Sequence, residues 1–109
     1  MKKTGTNKLE SELQREDVIP YLKSMGAYVL KVHVGSYQRR GDPDVHCCYL
    51  GRYVAFELKR SEKLKPTKIQ LYRIQKIREA GGIAHAVSSL SEIEEVLHEI
   101  SRVQQDGES

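Results

Sequence analysis

Between Arg52 and Lys59 apolar and polar residues alternate strictly enough to name two faces. Val54, Phe56 and Leu58 fall on one, and Tyr53, Ala55, Glu57 and Lys59 on the other. A period of two predicts a strand. Ala27 to Val34, rich in Val, Leu and Tyr, predicts a second, and Asp44 to Leu50 a third joined to it at Gly51. Ile83 to Val87 predicts a short fourth. Helical spacing takes over elsewhere. Leu9, Leu13, Ile19, Leu22 and Met25 mark a first helix, where Pro20 removes a donor and predicts a kink or break, and Gly26 a stop. Thr67 with Gln70 reads as a capping box opening a helix whose buried stripe is Leu71, Ile74 and Ile77, ended by Gly81-Gly82. Ser91 with Glu94 caps a last amphipathic helix. The order is α-β-β-β-α-β-α, an α/β fold.

Length and composition narrow this to one small domain. The chain has 109 residues, 39% hydrophobic and 30% charged, enough for one modest core. Residues 9–102 are expected to form that domain, with flexible polar ends at 1–8 and 103–109. No apolar run has the length of a membrane span, and the start lacks a signal-peptide pattern, so a cytoplasmic or otherwise intracellular protein with no membrane partner is expected. Adjacent Cys47 and Cys48 do not read as a disulfide, and buried packing is expected for at least one.

Charge changes the picture through its distribution, since the net value is only +3. Lys59, Arg60, Lys63, Lys65, Lys68, Arg73, Lys76 and Arg78 crowd twenty residues, and Arg39 and Arg40 precede Asp42. The acids gather toward the ends, at Glu10 to Asp17 and Glu92 to Glu108. A basic centre predicts a surface for a polyanion, although a solvated helix face accounts for part of it. Lys63, Lys65 and Lys68 lead from Lys59 into a helix N-terminus, an anion site in itself. With Arg39 and Arg40 they are the expected DNA contacts, and backbone or shape recognition fits better than base reading.

Two strings carry the candidate chemistry: Gly41-Asp42-Pro43-Asp44 and Phe56-Glu57-Leu58-Lys59. If Gly51-Arg52 is a two-residue turn, Leu50 pairs with Tyr53, Asp44 lies opposite Lys59, and Glu57 sits diagonally on the same face. Any even loop keeps that parity; a bulge flips it. Two carboxylates within about 5 to 8 Å suit one shared hard cation such as Mg2+. Phosphodiester hydrolysis needs a hydroxide near neutral pH and relief of charge on the phosphate, and such a cation serves both. Asp44, Glu57 and the Leu58 carbonyl are the candidate ligands, and Lys59 the candidate for steadying the attacking water or the transition state. The competing reading is an ordinary cross-strand ion pair beside an Asp-Pro-Asp turn. His46, Cys47 and Cys48 alternate across a strand and are not expected to close on one ion.

Those strings resemble the PD-(D/E)XK nuclease superfamily, and within it the VRR-NUC group. Gly41-Asp42-Pro43-Asp44 is similar to the group's Gly-x-Pro-Asp signature and Glu57-Leu58-Lys59 to its Glu-x-Lys, while Pro66-Thr67-Lys68-Ile69-Gln70 matches a helix carrying a Gln. The resemblance spans about residues 9 to 90. It implies a restriction-endonuclease-like α-β-β-β-α-β core with a mixed central sheet, followed here by a C-terminal helix. It also implies metal-binding Asp44 and Glu57, a catalytic Lys59 and an accessory Gln70. For Gln70 the rival role is the capping box, and one side chain is not expected to fill both. A single glutamate of the first helix is implied as well, either Glu10 or Glu12. The activity implied is structure-selective DNA cleavage with Mg2+, or Mn2+ in its place, on branched DNA such as Holliday junctions. A junction needs two incisions, which favours a homodimer. The rivals are a nuclease for flap or other DNA and a nucleic-acid-binding module without catalysis. No small-molecule cofactor is expected.

Overall fold

The computed structural model describes residues 14–30, 40–59 and 65–108. Among them, β1 (Tyr28–Leu30), β2 (Val45–Tyr49), β3 (Arg52–Leu58) and β4 (Ile83–Val87) form one sheet in the order β1-β2-β3-β4. The β1–β2 and β2–β3 pairs are antiparallel and β3–β4 is parallel, so the sheet is mixed. Three α-helices pack around it: α1 (Ile19–Ser24), α2 (Lys68–Glu79) and α3 (Leu90–Glu108). A parallel pair needs a crossover, and α2 supplies it. No described helix is long and apolar enough to cross a membrane.

Pro20 changes the winding of the first helix without breaking it. A π-helical segment, Gln14–Val18, runs directly into α1, with Pro20 in its first turn. Proline is tolerated there because the wider turn upstream gives its ring room in a helix where it donates no amide. Gly26, at φ +91°, closes the helix.

The sheet has two different neighbours. Val54, Phe56 and Leu58 of β3, with Val45, Cys47 and Tyr49 of β2, pack on Val18 and Leu22 from one side of the chain and Ile93, Leu97 and Ile100 of α3 from the other. This is the main core. Ala55 and Ala84 face the other way, onto Ile74 of α2, with Ile77 packed alongside. Leu71, expected in the buried stripe, is exposed, because α2 rests on small residues of only two strands. The cap of α3 also differs from the expectation. Two overlapping Ser-x-x-Glu strings compete, and the earlier wins: Ser89 accepts from the Glu92 amide at 3.2 Å, and Glu92 accepts from Ser88 N–H at 2.6 Å. Starting there brings Leu90 against the core. At its other end α3 continues past residue 102 to Glu108, with Arg102 bridging Glu99 and Asp106 across the last turns.

The β2–β3 turn falls at Leu50-Gly51, one residue earlier than the sequence pattern placed it. Tyr49 pairs with Arg52 and Val45 with Phe56. A two-residue hairpin loop with both central residues at positive φ matches strand twist, and Leu50 (φ 51°) and Gly51 (φ 80°) supply it. The loop stays even, so every side chain keeps its expected face, but each pairing moves by two. The edge strand β4 is protected by Arg78, whose Nε and Nη2 donate to the Ala84 carbonyl at 3.0 and 2.8 Å.

The two cysteines divide as alternation requires, Cys47 buried and Cys48 exposed. Burial pushes the Cys47 thiol up to about 11, with Cys48 adding to the effect. Between pH 9.0 and about 11 the native protein therefore holds a proton that the unfolded chain releases. Its contribution to stability is complete below that window and is lost as pH rises through it. Thermal melts should show a loss of stability from pH 9 to 11 that is smaller in Cys47→Ala, whose overall stability is lower. Equal slopes would show that the thiol does not carry the effect.

Candidate active site

The site forms where β3 ends, β2 begins and α2 starts. Thr67 caps α2: its Oγ1 accepts from Gln70 N–H at 3.2 Å, and Gln70 Oε1 accepts from Thr67 N–H at 2.8 Å. That exchange fixes the Gln70 amide above the end of β3. The same Oε1 accepts from Lys59 Nζ at 2.9 Å, while Nε2 donates to Glu57 Oε2 at 2.6 Å. Gln70 therefore fills both roles that the sequence pattern set against each other. A carbonyl oxygen has two lone pairs, so one amide can cap the helix, hold the lysine and still donate to the glutamate.

Asp44 stands one residue before the last β2–β3 pair, Val45 with Phe56, so continued register sets it across from Glu57 and not from Lys59. Its Oδ2 accepts from Leu58 N–H at 2.8 Å, and the Glu57 side chain is among the groups that act on its carboxyl. In an extended strand a residue's N–H and C=O leave by the same edge, so the Leu58 carbonyl is directed toward Asp44 as well. Lys59 turns the other way at its backbone, donating to Val87 O at 2.7 Å. Its Nζ lies 3.8 Å from Glu57 Oε2. Glu57 and Lys59 are both buried, at 2% and 9% exposure.

Burial pushes the Asp44 carboxyl above its ordinary range, opposed by the Leu58 amide, by Glu57 and by the charges of Lys59 and His46. A partly buried carboxyl beside a buried one favours a shared proton or a cation between them. Their oxygens, with a backbone carbonyl, are the donor chemistry of Mg2+ or Mn2+. The described residues contain no cluster of three or more His, Cys, Asp and Glu suited to a metal. The donor set that fits is two carboxylates plus main-chain oxygen.

No family model matches the chain, and no curated protein matches it. A solved structure of a VRR-NUC domain does match, with a TM-score of 0.67 at 23% identity, over 82% of this chain and 94% of that one. The fold is that of a VRR-NUC domain. The expected restriction-endonuclease-like core with its mixed sheet and C-terminal helix is the one found.

Within this VRR-NUC fold three further residues hold the Gly41–Asp44 string in place, and the sequence pattern identified none of them for that task. Arg73, counted there among the polyanion-facing cations, turns inward: its Nε donates to the Arg40 carbonyl at 3.1 Å and lies 3.6 Å from Asp42 Oδ1. It stands three residues after Gln70, on the same side of α2, and that spacing was the available signal. His46 donates from Nε2 to the Pro43 carbonyl at 3.1 Å and accepts at Nδ1 from the Tyr53 hydroxyl. Pro43 itself is fully buried. Of the expected DNA contacts, Arg40, Lys65 and Lys68 are exposed around the start of α2. Arg39, Lys63, Glu10 and Glu12 lie outside the described residues.

Proposed function

We propose that the protein is a metal-dependent, structure-selective DNA endonuclease that hydrolyses phosphodiester bonds, with a Holliday junction as substrate and a homodimer as the working form. One observation carries this reading: Asp44, Glu57, Lys59 and Gln70, from three separate stretches of the chain, converge on one another at the end of the sheet. A cross-strand ion pair would need no glutamine joining lysine to glutamate, and no second carboxyl pressed against the first.

Asp44 and Glu57, with the Leu58 carbonyl, would hold Mg2+ or Mn2+. When bound, the ion supplies a more acidic water and relief of charge on the phosphate. Lys59 presents its ammonium to the negative charge that grows on the phosphate oxygens, in a buried setting where such a charge counts for more than in water. Gln70 orients it: the amide accepts from Nζ and donates to Glu57, and so bridges an ammonium and a carboxylate that pair at 3.8 Å. Arg40, Lys65 and Lys68 surround the site with positive charge for the DNA backbone. One such site per chain suggests a pair of chains for the two incisions of a junction.

The test is cleavage of labelled duplex, flap and four-way DNA side by side with Mg2+, Mn2+ or EDTA, repeated with Asp44→Ala and Glu57→Gln. Wild type should cut the junction at least tenfold faster than duplex, neither variant should cut, and light scattering should give twice the chain mass. Preference for the flap would reassign the substrate. Salt-dependent binding with no product in any metal would leave a nucleic-acid-binding module.

A further inference from the structure

Beside the active site a groove of about 610 Å3 runs along α2 from Asp42 to Gly81 and Gly82. One wall is helical, with Tyr72, Arg73 and Lys76; the other is sheet, with His46 and Tyr53. The sheet wall is bare because α2 covers only β3 and β4. By register, Tyr28, Cys48 and Tyr53 form one row on this face, and Tyr28 and Tyr53 are 70% and 40% exposed. Tyr72 is 53% exposed, and the charged ends of Arg73 and Lys76 lie 5.6 and 5.8 Å from its ring centre. Gly82 keeps the far end open: a Cβ there would stand 2.8 Å from Ile77 Cγ2 and 3.0 Å from Tyr53 Cδ2.

We propose that this groove seats nucleotides left unpaired where the DNA substrate branches, next to the phosphate to be cut. The proposal rests on the nuclease reading and names the form of DNA that the neighbouring surface takes. Aromatic rings interleaved with cations suit unpaired nucleotides, whose bases stack on the rings while their phosphates meet the charges. A duplex offers its bases only as edges within its grooves, and a cleft of this volume takes small groups and not a double helix. Lys68, one turn before Tyr72, extends the positive border toward the active site. The nearby acids are already engaged, Asp42 with Arg73 at 3.6 Å and Glu79 with Lys76 at 3.2 Å. Exposed pairs of the second kind are weak enough for a phosphate to displace.

The experiment is fluorescence anisotropy in EDTA with a labelled oligothymidylate and, separately, a duplex of equal length. Tyr72→Ala should weaken single-strand binding by about tenfold or more, the loss expected for one stacked base. It should change duplex binding by less than about twofold, and Tyr72→Phe, which keeps the ring, should bind as wild type. Tyr72 is half exposed, so both variants should melt like the parent. Unchanged single-strand binding in Tyr72→Ala, or an equal loss for duplex, overturns the proposal. So does sedimentation showing that Tyr72→Ala only breaks apart a pair of chains. Because no metal is present, binding is read apart from cleavage. Tyr72-dependent binding by a protein that cuts nothing leaves the groove standing without the nuclease, and cleavage without such binding does the reverse.

Discussion

Lys59→Met is expected to slow DNA cleavage by about 10^2- to 10^3-fold while strengthening the hold on metal. Methionine keeps much of the buried stem and removes the charge together with the hydrogen bond to Gln70. The rate loss is of the size seen when one preorganised electrostatic group is deleted from a water-excluded site. Metal binding moves the opposite way for a reason visible in the structure. Lys59 Nζ is 3.8 Å from Glu57 Oε2 and its charge holds the Asp44 carboxyl down against burial. Without it the two carboxyls lose the larger of two positive influences, the Asp44 carboxyl rises further, and a divalent ion becomes the best remaining counter-charge. The metal-free variant should accordingly melt below wild type, and the gap should narrow on adding Mn2+. Lys59→Arg should not restore the rate, because a planar fork neither fits the space of a buried ammonium nor donates to Gln70 in the same way. Single-turnover rates on the best substrate and calorimetry with Mn2+ check this. A rate within tenfold of wild type would remove Lys59 from the chemistry.

Much of this site is legible in the chain alone, because its geometry follows from strand parity. Asp44 and Glu57 share a face for any even loop, and the loop is even. The pairing itself could not be read. Gly51 advertises a turn, but the second left-handed residue is Leu50, a type that carries no such signal, so the register moved by two and Asp44 came to lie across from Glu57. Gln70 was legible as a cap and, through family resemblance, as a site residue. That one amide serves both ends is a matter of distances between α2 and β3, and those are tertiary. Arg73 and His46 show the same limit. A cation on a basic helix reads as solvent-facing until the fold shows that a loop passes beneath it. A histidine beside two cysteines draws attention to metals, whereas here it holds the Pro43 carbonyl. Leu71 was misplaced because helical spacing gives the direction of a stripe but not the width of the surface it meets.

Gly41→Ala is expected to be the most damaging small substitution near the site, costing about 3 kcal/mol and lowering the melting temperature by more than about 10 °C. Two effects add. Gly41 has φ +82°, where a Cβ is strained by roughly 1 kcal/mol or more. The added carbon would also stand 2.7 Å from Ile69 Cγ1 and 2.9 Å from both the carbonyl carbon and oxygen of Ile69. The side-chain atom can swing away; the backbone belongs to the first turn of α2 and cannot yield without carrying Gln70, the next residue, with it. On the loop side of the contact, Asp44 follows Gly41 by three positions. Both halves of the site are therefore displaced together, and cleavage should fall by at least tenfold even under conditions where the variant is folded. Gly26→Ala separates the two effects. Gly26 has φ +91° and nothing within 4 Å of where a Cβ would stand, so it carries the torsional cost alone and should lose about 1 kcal/mol with no change in cleavage. If Gly41→Ala melts and cuts like Gly26→Ala, the loop does not bear on α2 as closely as the structure has it, and the positioning of Asp44 against Gln70 must come from elsewhere.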